Sequence, residues 1–261
     1  MEKLLYEQKI CALQNRLTEC EQQLCHSQKE NEAFINLASH DLKSPLRKLS
    51  TFIARLRAKS NLSAGDNVSI YLDKIENTLE EMTTLIDSMS ALAEIDTQKT
   101  EFKEVNLSSV VNNLIKEKEL LLNEASATVS VSVLPVVQGD PAQLKIVFQQ
   151  LFDNAVKFKS PAKPLQVKIT SEPASANEGR YFTAQPGKLY QQVNFTDNGI
   201  GMKKEFAEQI FQPYFRLHGK SDYKGTGMGL AIAKKIMNRH FGNIYAEPIE
   251  NFGTRIVLIF P

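Results

Sequence analysis

Glycine and proline are distributed so unevenly along this chain that they divide it before any other property is consulted. Of twelve glycines only Gly65 lies in the first hundred residues, and of ten prolines only Pro45 does. Helix interiors exclude both residue types, so the first hundred residues read as long helices. The remainder, where the turns are, reads as a mixed α/β domain. At 261 residues the chain is long enough for two domains.

Charge and composition narrow the partners. Lys and Arg number 31 against 30 Asp and Glu, a formal charge of +1, which gives no basis for expecting nucleic acid or an anionic membrane surface. No apolar run approaches the roughly 20 residues that span a bilayer, and the opening MEKLLYEQKI lacks the apolar core of a signal peptide. The expectation is a cytoplasmic chain with no membrane contact of its own, standing alone or as the cytoplasmic part of a membrane-bound receptor. Cys11, Cys20 and Cys25 are odd in number, gathered at one end and without zinc-ligand spacing, so neither a disulfide framework nor a metal site is indicated.

The helical part carries a heptad. Positions 3, 6, 10, 13, 17, 20, 24, 27, 31, 34 and 38 keep the 3-4 spacing of a coiled-coil seam that is mostly apolar, with Asn31 at a core position able to set register. A single amphipathic helix lying on its own protein is the plainer alternative. The helix continues from Phe34 to about Arg57, and KSNLSAGDN, residues 59 to 67, breaks it. In the next helix Leu72, Ile75, Leu79, Met82, Ile86, Met89 and Ala93 repeat the spacing. The result is an antiparallel hairpin whose apolar stripe is too wide for one partner helix. Two hairpins would complete a four-helix bundle, so a homodimer is expected.

After Thr100 the elements alternate. Residues 105–124 read as a helix, 128–133 as a strand, and 141–158 as a helix capped by Asp140 with Pro141 at its first position. Strands are expected at 165–171 and 189–196, joined by a polar loop, 172–188, with no assigned chemistry. A helix at 205–211, another at 228–241, and strands at 243–247 and 253–260 complete an α/β sandwich with helices on one face of a mixed sheet.

Three stretches of this second half suit a nucleotide better than a packed core. In QQLFDNAVKF, residues 149–158, helical spacing sets Gln150, Asp153, Asn154 and Lys157 around neighbouring turns. Asn154 offers a neutral oxygen to Mg²⁺, which takes few protein ligands, and Lys157 a charge for phosphate; a solvated helix face is the alternative. In FTDNGIGM, residues 195–202, Asp197 closes a strand, while Gly199 and Gly201 permit torsions or close approaches that side chains forbid. A carboxylate there accepts a hydrogen bond from an exocyclic amine such as that of adenine; a structural Asp-Asn-Gly turn is the alternative. In KGTGMGLAIAKKI, residues 224–236, Gly225, Gly227 and Gly229 precede an amphipathic helix, whose N-terminal N–H groups form an anion site. The run is neither a Walker loop nor a Rossmann fingerprint.

In this order and spacing the three stretches resemble the ATP-binding domain of the GHKL superfamily, of Bergerat type, which includes gyrase-type ATPases and sensor histidine kinases. The resemblance implies Mg-ATP held by Asn154, Lys157, Asp197, Gly199, Gly201, Gly225, Thr226, Gly227, Gly229 and Leu230, with Asn154 on the metal. IFQPYFRL, residues 210–217, lies where histidine kinases carry their phenylalanine box. Phe211 and Phe215 match it, and Arg216 looks like the arginine that approaches the γ-phosphate. Residues 212–224 would then be the lid over ATP.

In the first half, ASHDLKSPLRKL, residues 38–49, is similar to the phospho-accepting histidine box of sensor kinases. Of His26, His40, His218 and His240, only His40 has an adjacent acid in a helix and a proline five residues on. A neutral imidazole nitrogen is a nucleophile toward the γ-phosphorus, and Asp41 keeps the nucleophilic form by holding or removing the proton on the other nitrogen. Pro45 bends the helix beside it.

The resemblance thus implies a helical region followed by an α/β sandwich: a signalling coiled coil over 1–33, a dimerisation and phosphoacceptor hairpin over 34–100, and an ATP-binding domain over 101–261. It implies ATP and Mg²⁺ as cofactors and a response-regulator receiver domain as partner, with His40, Asp41, Lys157 and Arg216 as catalytic residues. Two positions depart from the family pattern. Gln150 stands where a first Asn is usual, four residues before Asn154, and Ser44 stands where Thr or Asn orients a water for dephosphorylation. The first leaves open an ATP-binding scaffold with reduced or no kinase activity.

Overall fold

A computed structural model describes residues 42, 43, 46–58, 67–97, 101–174, 189–217, 223, 225–249 and 253–261. The coiled-coil seam of 1–33, the histidine box residues His40, Asp41, Ser44 and Pro45, most of the 59–67 break, residues 175–188 and residues 218–222 lie outside that set. The chain divides after Thr97 into two compact units.

The first unit holds helical residues 46–58 (α1) and α2 (Asn67–Thr97). Leu46 and Ile53 of α1 are buried with Leu72, Leu79 and Ile86 of α2 in one apolar cluster, so half of the heptad positions close the hairpin. Arg57 fastens its exposed side, donating to Asp73 at 2.7 Å and Glu76 at 2.9 Å. Other positions stay outside: Ile75 and Met82 of the α2 heptad are 47% and 42% exposed, and Leu49 and Leu56, apolar residues of α1, are exposed as well. The stripe read from the sequence as continuous is split lengthwise into a covered and an uncovered edge.

The second unit is a sandwich. Its five-stranded sheet has the order β2 (Thr128–Val131), β4 (Gln166–Pro173), β5 (Gln191–Asp197), β7 (Gly253–Phe260), β6 (Asn243–Ile249). Only β2 and β4 run parallel; every other pair is antiparallel. Helices α3 (Leu107–Glu117), α5 (Pro141–Lys157) and α6 (Gly229–Arg239) supply the helical layer. In α5 the residues Leu144, Val147, Phe148, Leu151, Phe152 and Ala155 are buried, the 3-4 spacing of one broad stripe. Phe152 meets Phe195 of β5 edge to face, ring centres 5.1 Å apart. Asp140 caps α5 as expected, accepting from the N–H groups of Ala142 at 2.8 Å and Gln143 at 3.3 Å.

Several expectations are corrected. Residues 105–124 are not one helix. β1 (Lys103–Asn106) pairs antiparallel with β3 (Val136–Gly139) in a separate two-stranded ribbon, and neither strand is evident in the sequence because each is four residues long. Asn106 ends β1 and caps α3, accepting from the Ser109 N–H at 3.2 Å, so the helix begins at Leu107. It breaks at Lys118 before the short α4 (Glu119–Glu124). β4 runs past the expected end at residue 171 through Glu172 and Pro173, pairing them with Gln192 and Gln191. Residues 205–211 form two 3₁₀ turns, Lys204–Phe206 and Gln209–Phe211, in place of a helix. Pro213 disfavours a helical Gln212, which is extended with ψ 139°, so no helix propagates.

One contact ties three segments of this unit. His240, buried at the C-cap of α6, places Nδ1 2.8 Å from the Ile236 carbonyl and accepts the Asp140 N–H at Nε2, 3.0 Å away. Phe102 stacks on the ring at 4.7 Å. Acceptance at Nε2 requires the neutral ring, and burial holds His240 below the ordinary imidazole range. The unfolded chain takes up this proton first, so the His240 contribution to stability is full above about pH 6.5 and declines as pH falls toward the folded value. His240→Ala should lower unfolding stability by about 2–4 kcal/mol at pH 8. Urea unfolding at pH 8 checks this, and an unchanged midpoint would show that the contact is incidental.

Candidate functional site

The three stretches singled out in the sequence meet at one end of the sandwich, and glycines are what let them meet. The C-terminal end of α5 receives the turn after β5. Phe158, the C-cap of α5, accepts the Ile200 N–H at 3.0 Å, and a Cβ at Gly199 would strike the same Phe158 carbonyl oxygen. Gly201 follows with φ +70°, a conformation that side chains disfavour. The glycine run packs against α5 from the other side. A Cβ at Gly225 would lie 2.6 Å from Lys157 Nζ, and one at Gly229 would run into the carboxamide oxygen of Gln150. A Cβ at Gly227 would meet the Phe215 carbonyl oxygen at 2.7 Å and Arg216 Cγ at 3.2 Å. So Gln150 and Lys157 on α5, the turn at 197–201, the aromatic stretch ending at Arg216 and the glycine run enclose one place.

The site residues differ in setting. Asp197 stands at the end of β5, and its carboxylate accepts from the N–H groups of Gly199, at 2.9 Å, and Thr254. Burial raises its pKa to about 6, and those two N–H groups offset part of the effect. Asn198 beside it is structural: its amide accepts from the Gln166 N–H at 2.8 Å and donates to the Pro164 carbonyl at 2.9 Å, anchoring the turn to β4. Asn154 is half-buried one turn after Gln150. Lys157 lies 4.8 Å from the Phe158 ring centre, and burial, with the Arg216 charge second, lowers its pKa below the usual ammonium range. Arg216 donates to the Tyr223 carbonyl at 2.5 Å. Phe211 is buried with Lys234 over its ring, whereas Phe215 is half-buried and tilted toward Phe206. Thr226 accepts from the Met228 N–H at 3.4 Å, and Gly229 and Leu230 open α6.

Asp153, from the same stretch, turns away: it pairs with Lys118 at 2.5 Å and links α5 to the break between α3 and α4. His40 and Asp41 are outside the described residues. Three residues of the site escaped the sequence reading. Phe158 takes the Gly199–Ile200 turn on its carbonyl and packs against the Tyr223 ring, tilted by 54° with 5.0 Å between centres. Gly253, at φ +123°, has no room for a Cβ, which would run into the Asp197 carbonyl. Thr254 gives Asp197 a backbone donor. An aromatic directly after the last helical lysine, and a glycine beginning a strand, are the signals that were present for the first two.

The buried carboxyl of Asp197 has a measurable consequence. Its folded pKa lies above the ordinary 3.8, so the folded state binds the extra proton between about pH 4 and 6. Stability therefore rises as pH falls through that window, and the charge is a burden at neutral pH. Asp197→Asn keeps an oxygen able to accept from the Gly199 N–H and removes the charge. It should raise unfolding stability by roughly 1–3 kcal/mol at pH 7, with the gain vanishing near pH 4. Urea unfolding of the full chain at both pH values reads this, and a loss of stability at pH 7 would contradict it.

The chain was compared with known proteins. Residues 139–261 match the family described as histidine kinase-, DNA gyrase B- and HSP90-like ATPase, and residues 30–98 match the His kinase A phospho-acceptor domain. The phytochrome-like protein Cph1 of Synechocystis is 31% identical over 245 residues, covering 94% of this chain and 31% of that protein. The sensor protein kinase WalK of Staphylococcus haemolyticus is 26% identical over 245 residues, covering 90% and 37%. The chain thus spans about a third of the length of these curated relatives. Among solved structures, full-length ShkA in complex with AMPPNP superposes with a TM-score of 0.61 at 18% identity, covering 87% of this chain and 45% of that one. Histidine kinase AdeS of Acinetobacter baumannii gives 0.54 at 19%, covering 84% and 95%. These two likenesses speak for the fold alone. With a phospho-acceptor domain and a GHKL-type ATPase domain in this order, the chain belongs to the sensor histidine kinases.

Proposed function

We propose that this chain is a dimeric kinase core that binds Mg-ATP in its second unit and transfers the γ-phosphoryl group to His40, from which it passes to an Asp of a response-regulator receiver domain. The observation that supports the reading is that the turn at 199–200 meets Phe158 at the end of α5, while the glycine run meets Gln150 and Lys157 of α5 and the chain at Phe215 and Arg216. Lys157 and Arg216 bring two positive charges close enough for one to lower the pKa of the other, and a polyphosphate between them relieves that repulsion. Adenine belongs at Asp197, where the ionised carboxylate accepts from the exocyclic amine. Gly199 and Gly201 let the backbone approach the base. Phe211 and Phe215 order the chain ahead of Arg216, and Gly225, Thr226, Gly227, Gly229 and Leu230 present N–H groups to the phosphates.

The described residues hold no group of three His, Cys, Asp or Glu side chains able to take a metal. In this reading Asn154 would offer its side-chain oxygen to Mg²⁺, and the metal would supply neutralisation of phosphate charge. In the transfer, a ring nitrogen of neutral His40 bonds to the γ-phosphorus while the bond from that phosphorus to the bridging oxygen breaks. ADP leaves with the electron pair, and Asp41 holds the proton on the other ring nitrogen. Residues 1–33 serve as the input coiled coil, 34–100 as the hairpin, and 101–261 as the nucleotide domain. The uncovered apolar edge, Leu49 and Leu56 with Ile75 and Met82, belongs against a second copy.

A second reading, a nucleotide-binding scaffold without transfer, is favoured by Gln150 standing where the family usually has Asn. Labelling with γ-labelled ATP separates the two. Under the kinase reading wild type gains acid-labile phosphate, while His40→Gln gains none and keeps its ATP affinity within about twofold, since the nucleotide contacts are all elsewhere. Acid-labile label persisting in His40→Gln would assign the acceptor to another residue, and nucleotide binding without any label in wild type would select the scaffold. For the dimer, Ile75→Glu buries a charge in the proposed seam and should shift sedimentation from two chains to one at micromolar concentration. An unaltered profile would remove this edge from the interface.

A further inference from the structure

The α6 N-terminus lacks a conventional cap. Met228 holds the N-cap position and its side chain makes no capping hydrogen bond, although the first N–H groups of a helix need partners. A Cβ built on the first α6 residue would meet a polar group of another helix first. The carboxamide oxygen of Gln150 lies over Gly229 so closely that a Cβ there would collide with it, and Cδ and Cγ of the same side chain are the next atoms, 3.3 and 3.8 Å from that point. Gln150, Asn154 and Lys157 are spaced four and three apart on α5 and so share one face. The two outer members of this face touch the glycine run, Gln150 at Gly229 and Lys157 at Gly225. Asn154 lies between them.

We propose that Gln150 is a positioning residue whose side chain sets the first turn of α6 against α5 and thereby fixes the helix end that receives the phosphates. The inference rests on the nucleotide-binding reading above and assigns Gln150 neither the metal nor a proton. Its length decides its role. One methylene shorter, an Asn at 150 draws back from Gly229 by about one bond along the helix-to-helix gap; one methyl larger, Ala at 229 enters the space the amide fills. The two positions are therefore complementary: Ala at 229 obliges the Gln150 amide to move, and a shorter Asn at 150 leaves room for it.

The test is a double-mutant cycle on the full chain with Gln150→Asn and Gly229→Ala, reading urea stability without nucleotide, Mg-ATP affinity by calorimetry, and the pH profile of phosphate incorporation. Gly229→Ala alone should weaken Mg-ATP binding by about tenfold or more, and adding Gln150→Asn should recover about fivefold of that loss, with the same sign of coupling in urea. Gln150→Asn alone should raise KM for ATP by several-fold while kcat and the pH profile stay at wild-type values. Strict additivity in both affinity and urea stability overturns the contact. A displaced pH profile, or a loss of kcat with KM unchanged, overturns the positioning role by giving Gln150 a part in the chemistry. Coupling in urea stability alone, with additive affinities, leaves Gln150 a packing residue and also overturns it. Wild type that binds no Mg-ATP defeats the nucleotide reading itself, and the inference with it.

Discussion

The site depends on close approach of backbone at glycines, to carbonyl oxygens at Gly199 and Gly227 and to side-chain ends at Gly225 and Gly229. At Gly199, Gly225, Gly227 and Gly229 the space a Cβ needs is already held by Phe158, Lys157, Phe215 and Gln150 respectively. At Gly199 and Gly227 a backbone carbonyl from another stretch of sequence leaves no room for a side chain, whereas at Gly225 and Gly229 the mobile ends of Lys157 and Gln150 fill the space. Close approach brings backbone N–H groups and two cations to one surface, which is what a polyphosphate needs: directed donors and positive charge at little reorganisation. The same contacts explain why the site is carried on the rim of the sandwich. Phe158 ends α5 and Asp197 ends β5, so the packed interior, through Phe152 on Phe195, fixes the separation of the two ends.

That arrangement carries a stability penalty at Asp197. Its carboxyl is held by two backbone N–H groups but remains too buried to ionise at its ordinary pH, so the fold keeps a charge where a neutral amide would be more comfortable. Such a group is hard to explain by packing and easily explained by a ligand that donates to an ionised carboxylate, the usual exchange of stability for function at a binding site.

Long, strongly periodic or sharply capped elements were legible in the sequence. Asp140 with Pro141 announced α5, and the alternation in β5 and β7 announced the centre of the sheet. The glycine spacing located the site because a cradle needs glycine at particular places and local physics alone explains no such pattern. What stayed hidden was short or set by distant partners. β1 and β3 have four residues each and exist by pairing with one another; Asn106 looked like helix interior until its capping role was seen; Pro213 dissolved the expected 205–211 helix through its effect on Gln212. The heptad was visible, but its division into a covered edge and an uncovered edge depends on the hairpin partner. The hub role of Phe158 comes from segments forty-one and sixty-five residues downstream, Gly199 and Tyr223, which no window of sequence connects.

The central claim is that three separated stretches form one nucleotide site, and amide hydrogen exchange of the full chain with and without Mg-ATP tests it most directly. The account predicts that nucleotide slows exchange together in peptides covering 154–158, 197–201 and 225–231, while the far strand ends near Glu172 and Gln191 are unchanged. Protection confined to one of the three stretches, or arising mainly elsewhere in the second unit, would contradict it.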